Sequence, residues 1–93
     1  MIDTQSRPRR RERVLTQTAA GTLVLLDLDG GQYYSLDEVS AHVWELCDGE
    51  HGVGGIVEAI SAEYDASAET IYEDVLAFLE EMVDEKLLVV EGP

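Results

Sequence analysis

Residues 27–46 read DLDGGQYYSLDEVSAHVWEL. Within this stretch a strand turns back on its neighbour and then gives way to a helix. Asp29-Gly30-Gly31 separates two apolar runs, TLVLLDL (residues 22–28) and QYYSL (residues 32–36). An Asp-Gly pair between such runs predicts a hairpin, because a type I′ turn needs positive φ at both central residues. Side chains alternate along the returning strand, so Tyr34 and Leu36 share one face while Gln32, Tyr33 and Ser35 share the other. Leu36 adjoins the helix, which places Tyr34 and Leu36 on the helix-packed face and Tyr33 on the outer face or rim. Asp37 is a good N-cap, its carboxylate accepting from the first free N–H groups. Ser35 with Glu38 is an alternative capping box; Asp37 is favoured because Leu36 reads as the buried residue just before the cap. The helix then carries Val39, Val43, Leu46 and Cys47 at helical spacing, with Trp44 beside them. Asp48-Gly49 should end it, glycine taking the left-handed position.

Toward the N-terminus, RVLTQTA (residues 13–19) reads as a further strand, and Gly21 marks the turn into residues 22–28. Three strands joined by tight turns form an antiparallel meander whose third strand, QYYSL, is an edge. Toward the C-terminus, Val53, Ile56, Val57, Ile60 and Tyr64 form the stripe of a second helix. Gly54 and Gly55 weaken its first turn, as close packing or fraying would. Asp65 or Ser67 can cap the third helix, AETIYEDVLAFLEEMVDEK (residues 68–86), which carries two apolar stripes. Ile71, Val75, Phe78 and Met82 form one; Tyr72, Leu76, Leu79 and Val83 form the other. LLVV (residues 87–90) is a short final strand, and EGP a frayed end. The expected fold is α+β: a winged helix-turn-helix with a three-stranded antiparallel sheet, three helices and a short C-terminal strand, in one domain over residues 13–91.

The 93 residues suffice for one domain, and a hydrophobic fraction of 45% allows a packed core. Charge is uneven. Residues 1–13 hold five arginines against two acids, net +3, whereas the other 80 residues carry net −17. Residues 1–12 read as a basic flexible tail around Pro8, able to touch an acidic partner or fold back on the acidic body. So acidic a body repels phosphate backbones, and neither the second nor the third helix has a Lys or Arg before Lys86, which argues against a winged-helix regulator and against nucleic acid as a partner. No apolar run approaches the roughly 20 residues of a membrane span. The single cysteine, Cys47, fits a reducing cytoplasm.

Catalytic chemistry finds little support. His42, Cys47 and His51 lack the spacing of a zinc site, and Cys47 reads as a small core residue. Acid pairs such as Glu80-Glu81 belong to a solvated helix face, and the Asp29-Gly30-Gly31 turn lacks the Lys-Ser/Thr of a phosphate-binding loop. No cofactor, metal site or enzymatic constellation is expected. Binding remains. An edge strand without Lys or Pro invites strand addition. If the third helix lies beside it, the stripe Tyr72, Leu76, Leu79 and Val83 would wall a groove, with Glu73 and Glu80 at the margin. An extended peptide could pair with Gln32, Tyr33, Tyr34 and Ser35 through its backbone and bury alternate side chains against the helix. Leu79 as plain core and an edge used by a homodimer are the competing readings.

The stretches GGQYYSLDEVSAHVWELCDG, IVEAISAEYDAS and IYEDVLAFLEEMVDEKLLV, in this order, resemble the family of pyrroloquinoline-quinone biosynthesis protein D (PqqD). Its fold is also called the recognition element of ribosomally synthesised and post-translationally modified peptides. The similarity runs over roughly residues 13–91 and includes Asp48-Gly49 and the pair Asp74-Val75. Lys86 stands where a glycine is common, and Asp37 where an asparagine is common; both can serve the same turn or cap role. The resemblance implies a non-catalytic winged-helix domain that binds the leader region of a precursor peptide. The leader adds to the third strand and lies against the third helix. The resemblance is strongest to standalone leader-binding proteins of lasso-peptide pathways. There the partner is a separate leader peptidase, and an ATP-dependent macrocyclase acts afterwards. It also fits a peptide chaperone that delivers its ligand to a radical enzyme.

Overall fold

The computed structural model describes residues 2–91; of the frayed end expected at Glu91-Gly92-Pro93, Glu91 belongs instead to the last strand, paired with Arg7, and the other two lie outside the described residues. The elements run β1 (Arg7–Arg10), β2 (Val14–Ala19), β3 (Thr22–Asp27), β4 (Gln32–Leu36), α1 (Glu38–Leu46), α2 (Val53–Glu63), α3 (Ala68–Asp84) and β5 (Leu88–Glu91). β2, β3 and β4 form the antiparallel sheet in that order, as the meander required. Leu25 pairs with Thr16 on one side and Tyr34 on the other. The architecture is the expected α+β winged helix-turn-helix, with one strand added at the front.

That strand corrects the reading of residues 1–12 as a flexible tail. Arg7–Arg10 pairs antiparallel with β5, from Arg7 opposite Glu91 to Arg10 opposite Leu88. The segment on its other side also bonds to it: Gly49 N–H donates to the Pro8 carbonyl and Arg10 N–H to that of Cys47. Pro8 is fully buried, and the Arg10 guanidinium donates to the Trp44 and Glu45 carbonyls at 2.9 and 2.7 Å. Those carbonyls are among the last of α1 and carry its negative dipole end, the Trp44 carbonyl also accepting from the Cys47 N–H at 3.1 Å. Charge hides this strand in the sequence: its arginines look solvated, but alternation lets Pro8 and Arg10 point inward.

Local chemistry sets the helix ends. Asp37 caps α1 by accepting from Ser40 N–H, and Ser67, rather than Asp65, caps α3 by accepting from Thr70 N–H. α1 ends at Cys47, one residue earlier than expected, with Gly49 left-handed two residues later (φ +83°). α2 begins at Gly52 without a side-chain cap. A Cβ at Gly52 would come within 3.3 Å of the Thr4 carbonyl, so close packing by the N-terminal segment explains this glycine. The β3–β4 connection also differs from expectation. Asp27 pairs with Gln32, which leaves a four-residue loop, and the left-handed residue is Gly31 rather than Asp29 or Gly30. The two-residue loop is instead Ala20-Gly21, with positive φ at both positions.

The core is aliphatic around one tryptophan. Leu25, Leu36, Val43, Trp44, Val53, Ile56, Ile60, Ile71, Val75, Leu79 and Leu87 are all buried. The inward face of the sheet meets α1 here, and α2 and α3 pack behind it. Burying aliphatic side chains contributes roughly 1.5–3 kcal/mol each before chain entropy is set against it.

Candidate functional site

β4 has β3 as its only strand neighbour among the described residues, so its other edge presents unpaired backbone groups. Along it the exposures alternate as predicted. Tyr33 is 73% exposed on the outer face, whereas Leu36 is buried and Tyr34 half-buried on the inner face. The Tyr34 hydroxyl lies 2.7 Å from Glu85 Oε2 and 2.7 Å from Gln32 Oε1. One hydroxyl proton cannot serve two acceptors. The coherent network has Tyr34 donating to Glu85 while the Gln32 amide, turned over, donates to Tyr34. The Glu85 carboxylate raises the Tyr34 pKa to about 12, first through that hydrogen bond.

This contact fixes the rotation of α3. Successive side chains advance about 100° round a helix, so Phe78 and Asp74 lie within about 20° of Glu85. The same geometry lines a groove. Its walls are Asp37, Val39, Ser40 and Val43 from the start of α1, and Ile71, Asp74, Val75 and Phe78 from α3. The groove lies at the Leu36 end of β4, and the Tyr34–Glu85 contact lies at the Gln32 end. Thus the C-terminal end of α3 meets β4 at Tyr34, and its first half faces the start of α1.

The residues expected to wall the pocket lie elsewhere on α3. Tyr72, Leu76, Leu79 and Val83, with Glu73 and Glu80, all sit more than about 100° round α3 from Glu85, and none of them lines the groove. Leu79 is wholly buried in the core, and Tyr72 and Val83 pack against that core. Of the expected docking residues, the structure places Gln32, Tyr33, Tyr34 and Ser35 together on the edge strand. The α3 side of this groove is formed by the other stripe, through Ile71, Val75 and Phe78. Phe78 carried the missing signal. It is the only phenylalanine in the chain, and it stands one turn from the acidic Asp74 on a face otherwise apolar.

Other polar groups serve structure. Cys47 is buried, its thiol donates to the Val43 carbonyl at 3.2 Å, and burial pushes its pKa up to about 12. A neutral, enclosed thiol is a poor nucleophile. His51 and Asp48 meet at 2.9 Å in a turn, where backbone N–H groups, that of Glu50 first, hold Asp48 down to about 2. No helix among the described residues is long and apolar enough to cross a membrane. An open strand edge beside an apolar groove recognises an extended chain: the backbone pairs, and alternate side chains enter the groove.

The profile of the family described as Coenzyme PQQ synthesis protein D (PqqD) matches residues 22–88, from the start of β3 to the start of β5. The chain belongs to the PqqD family. Within that range fall the edge strand, the groove and the Tyr34–Glu85 contact. The PqqA binding protein of Bradyrhizobium diazoefficiens is 38% identical over 52 residues, covering 56% of this chain and 50% of that protein. The chain spans about half the length of the curated relatives it matches. Two solved structures share the family fold. TbiB1, in complex with the TbiA(beta) leader peptide, superposes with a TM-score of 0.78 at 31% identity, covering 86% of this chain and 93% of that one. The solution structure of the PqqD truncation of Methylobacterium extorquens PqqCD, described as a functional and stand-alone recognition element, gives a TM-score of 0.74 at 26% identity. It covers 88% of this chain and 87% of that one.

Proposed function

We propose that this domain binds the leader region of a ribosomal precursor peptide without catalysing a reaction itself, and delivers it to a separate leader peptidase of a lasso-peptide pathway. The leader adds as a strand to β4, pairing with residues Gln32 to Ser35, and places side chains between α1 and α3. The observation that carries the reading is the unpaired β4 edge, which runs on at Asp37 into the wall of the apolar groove of Val39, Val43, Ile71 and Phe78. Its likeness to TbiB1, solved with a leader peptide bound, supports a leader peptide as the ligand. The lone, buried thiol of Cys47 suits work in the cytoplasm.

A second reading has its own support. Identity of 38% with a PqqA binding protein favours a chaperone that presents a PqqA-like peptide to a radical enzyme. Calorimetric titration with leader peptides encoded beside the gene, followed by amide shifts, tests both. One-to-one binding with shifts at residues 32–39 and 71–78 is expected, and the peptide that binds separates the two pathways. Saturable binding with shifts only on the far face of α3 would reject docking at β4.

A further inference from the structure

The groove beside β4 is apolar along its floor and acidic at its rim. Val39, Val43, Ile71, Val75 and Phe78 supply the floor, and Asp37 and Asp74 the acids. Asp37 is already engaged, its Oδ1 accepting from Ser40 N–H at 2.8 Å. Asp74 is exposed, and no cation pairs with it among the described residues, whose ion pairs are Arg9–Glu91, Arg13–Asp29 and His51–Asp48. The other end of the edge strand differs: Arg11 and Lys86 stand there beside Asp27, Asp29 and Glu85. The acids at the Gln32 end thus have cations lining the same space, whereas no Lys or Arg lines the groove at the Leu36 end.

An apolar trough ending at a free carboxylate matches a side chain with a long hydrocarbon stem and a cationic head. Lys and Arg lay their methylenes on apolar surface while the charge reaches outward. The face of Phe78 adds attraction for a cation. The positive end of the α1 dipole borders the same space, and Asp37 with Glu38 in the first turn offsets it. We propose that the groove selects an extended peptide bearing a lysine or arginine, with its stem against the part-exposed Val39 and Phe78 and its cation on the Asp74 carboxylate. Asp74 is then a specificity-determining residue, and it fixes the direction of the peptide by drawing its basic residue to the Leu36 end of β4. The inference rests on the reading of β4 as a peptide-docking edge.

A display library of random dodecapeptides, selected on the full chain, tests it. Enrichment of Lys or Arg at one position among alternating apolar residues is expected. Against Asp74→Asn that preference should vanish while the apolar pattern remains, and Asp74→Glu should restore it. For one selected peptide, Asp74→Asn should weaken binding about tenfold, and replacing the peptide's basic residue by norleucine should remove the difference between the two proteins. Circular dichroism of each variant should be unchanged, since Asp74 is exposed. Enriched peptides without a cation, or an unchanged preference on Asp74→Asn, would overturn the inference and leave docking at β4 standing. Failure to enrich any peptide would overturn both.

Discussion

The Tyr34 hydroxyl sits 2.7 Å from the Glu85 carboxylate, joining the edge strand to the residue that caps α3. The contact sets the spacing of strand and helix where they converge. It also makes stability depend on pH in an alkaline window. The folded-state pKa is raised from 10.0 to about 12, so the protonated phenol is favoured by folding. Its contribution is fully present below about pH 10 and is lost as pH rises toward about 12. Tyr34→Phe should reduce the loss of stability in this window to what Cys47 and Tyr64, whose pKa values are also raised, contribute. Urea denaturation at several pH values between 9 and 12 checks it, and parallel curves for the two proteins would contradict it.

The rotation of α3 gives a paired prediction. Phe78→Glu puts a charge on the groove floor and should weaken peptide binding by an order of magnitude or more. Leu76→Glu lies on the far side of the helix and should leave affinity within about twofold. Titration of both variants with one peptide decides between the two faces. Loss of binding in Leu76→Glu alone would return the site to the stripe of Tyr72, Leu76 and Val83.

Ala20 adopts φ +54° in the β2–β3 loop, a conformation that costs a residue with a Cβ roughly 1 kcal/mol. Ala20→Gly should therefore raise stability by about 0.5–1 kcal/mol despite the extra freedom of the unfolded chain. Chemical denaturation reads the difference directly.

Arg10 holds the Trp44 and Glu45 carbonyls at the end of α1. Arg10→Ala should cost about 1–2 kcal/mol, far more than removal of an arginine from a loose tail. Arg11→Ala, at an exposed position outside β1, is the control and should change stability by less than about 0.5 kcal/mol.

The Cys47 thiol is buried and its pKa is raised to about 12. Modification by an aromatic disulfide at pH 8 should follow unfolding, with a rate that climbs with urea in step with loss of helix. Fast labelling in native buffer would show that the end of α1 opens locally.

Much of the fold was legible because local signals agreed. The alternation of residues 32–36, the Asp37 cap and the glycine turns all specify one meander running into one helix, and the structure follows them. The site was half legible. Strand alternation has two faces, and Leu36 beside the helix start decided between them, so Tyr33 was placed outward from sequence. α3 carries apolar residues on both sides of its axis, and periodicity tells which residues share a face without telling what the face meets. A contact between residues 34 and 85 supplies that, and no local pattern contains it. β1 escaped for a related reason. Its partner β5 lies 82 residues away for Arg9 and Glu91, and its charged side chains mask the inward pair of Pro8 and Arg10.

The pairing of β1 with β5 has a topological consequence. With Arg7 opposite Glu91, the first and last strands of the chain are neighbours, and residues 2–6 continue past Arg7 to the start of α2. A bridge joining the two termini would let the chain be reopened elsewhere, for instance at the Ala20-Gly21 loop, as a circular permutant with the same sheet and helices.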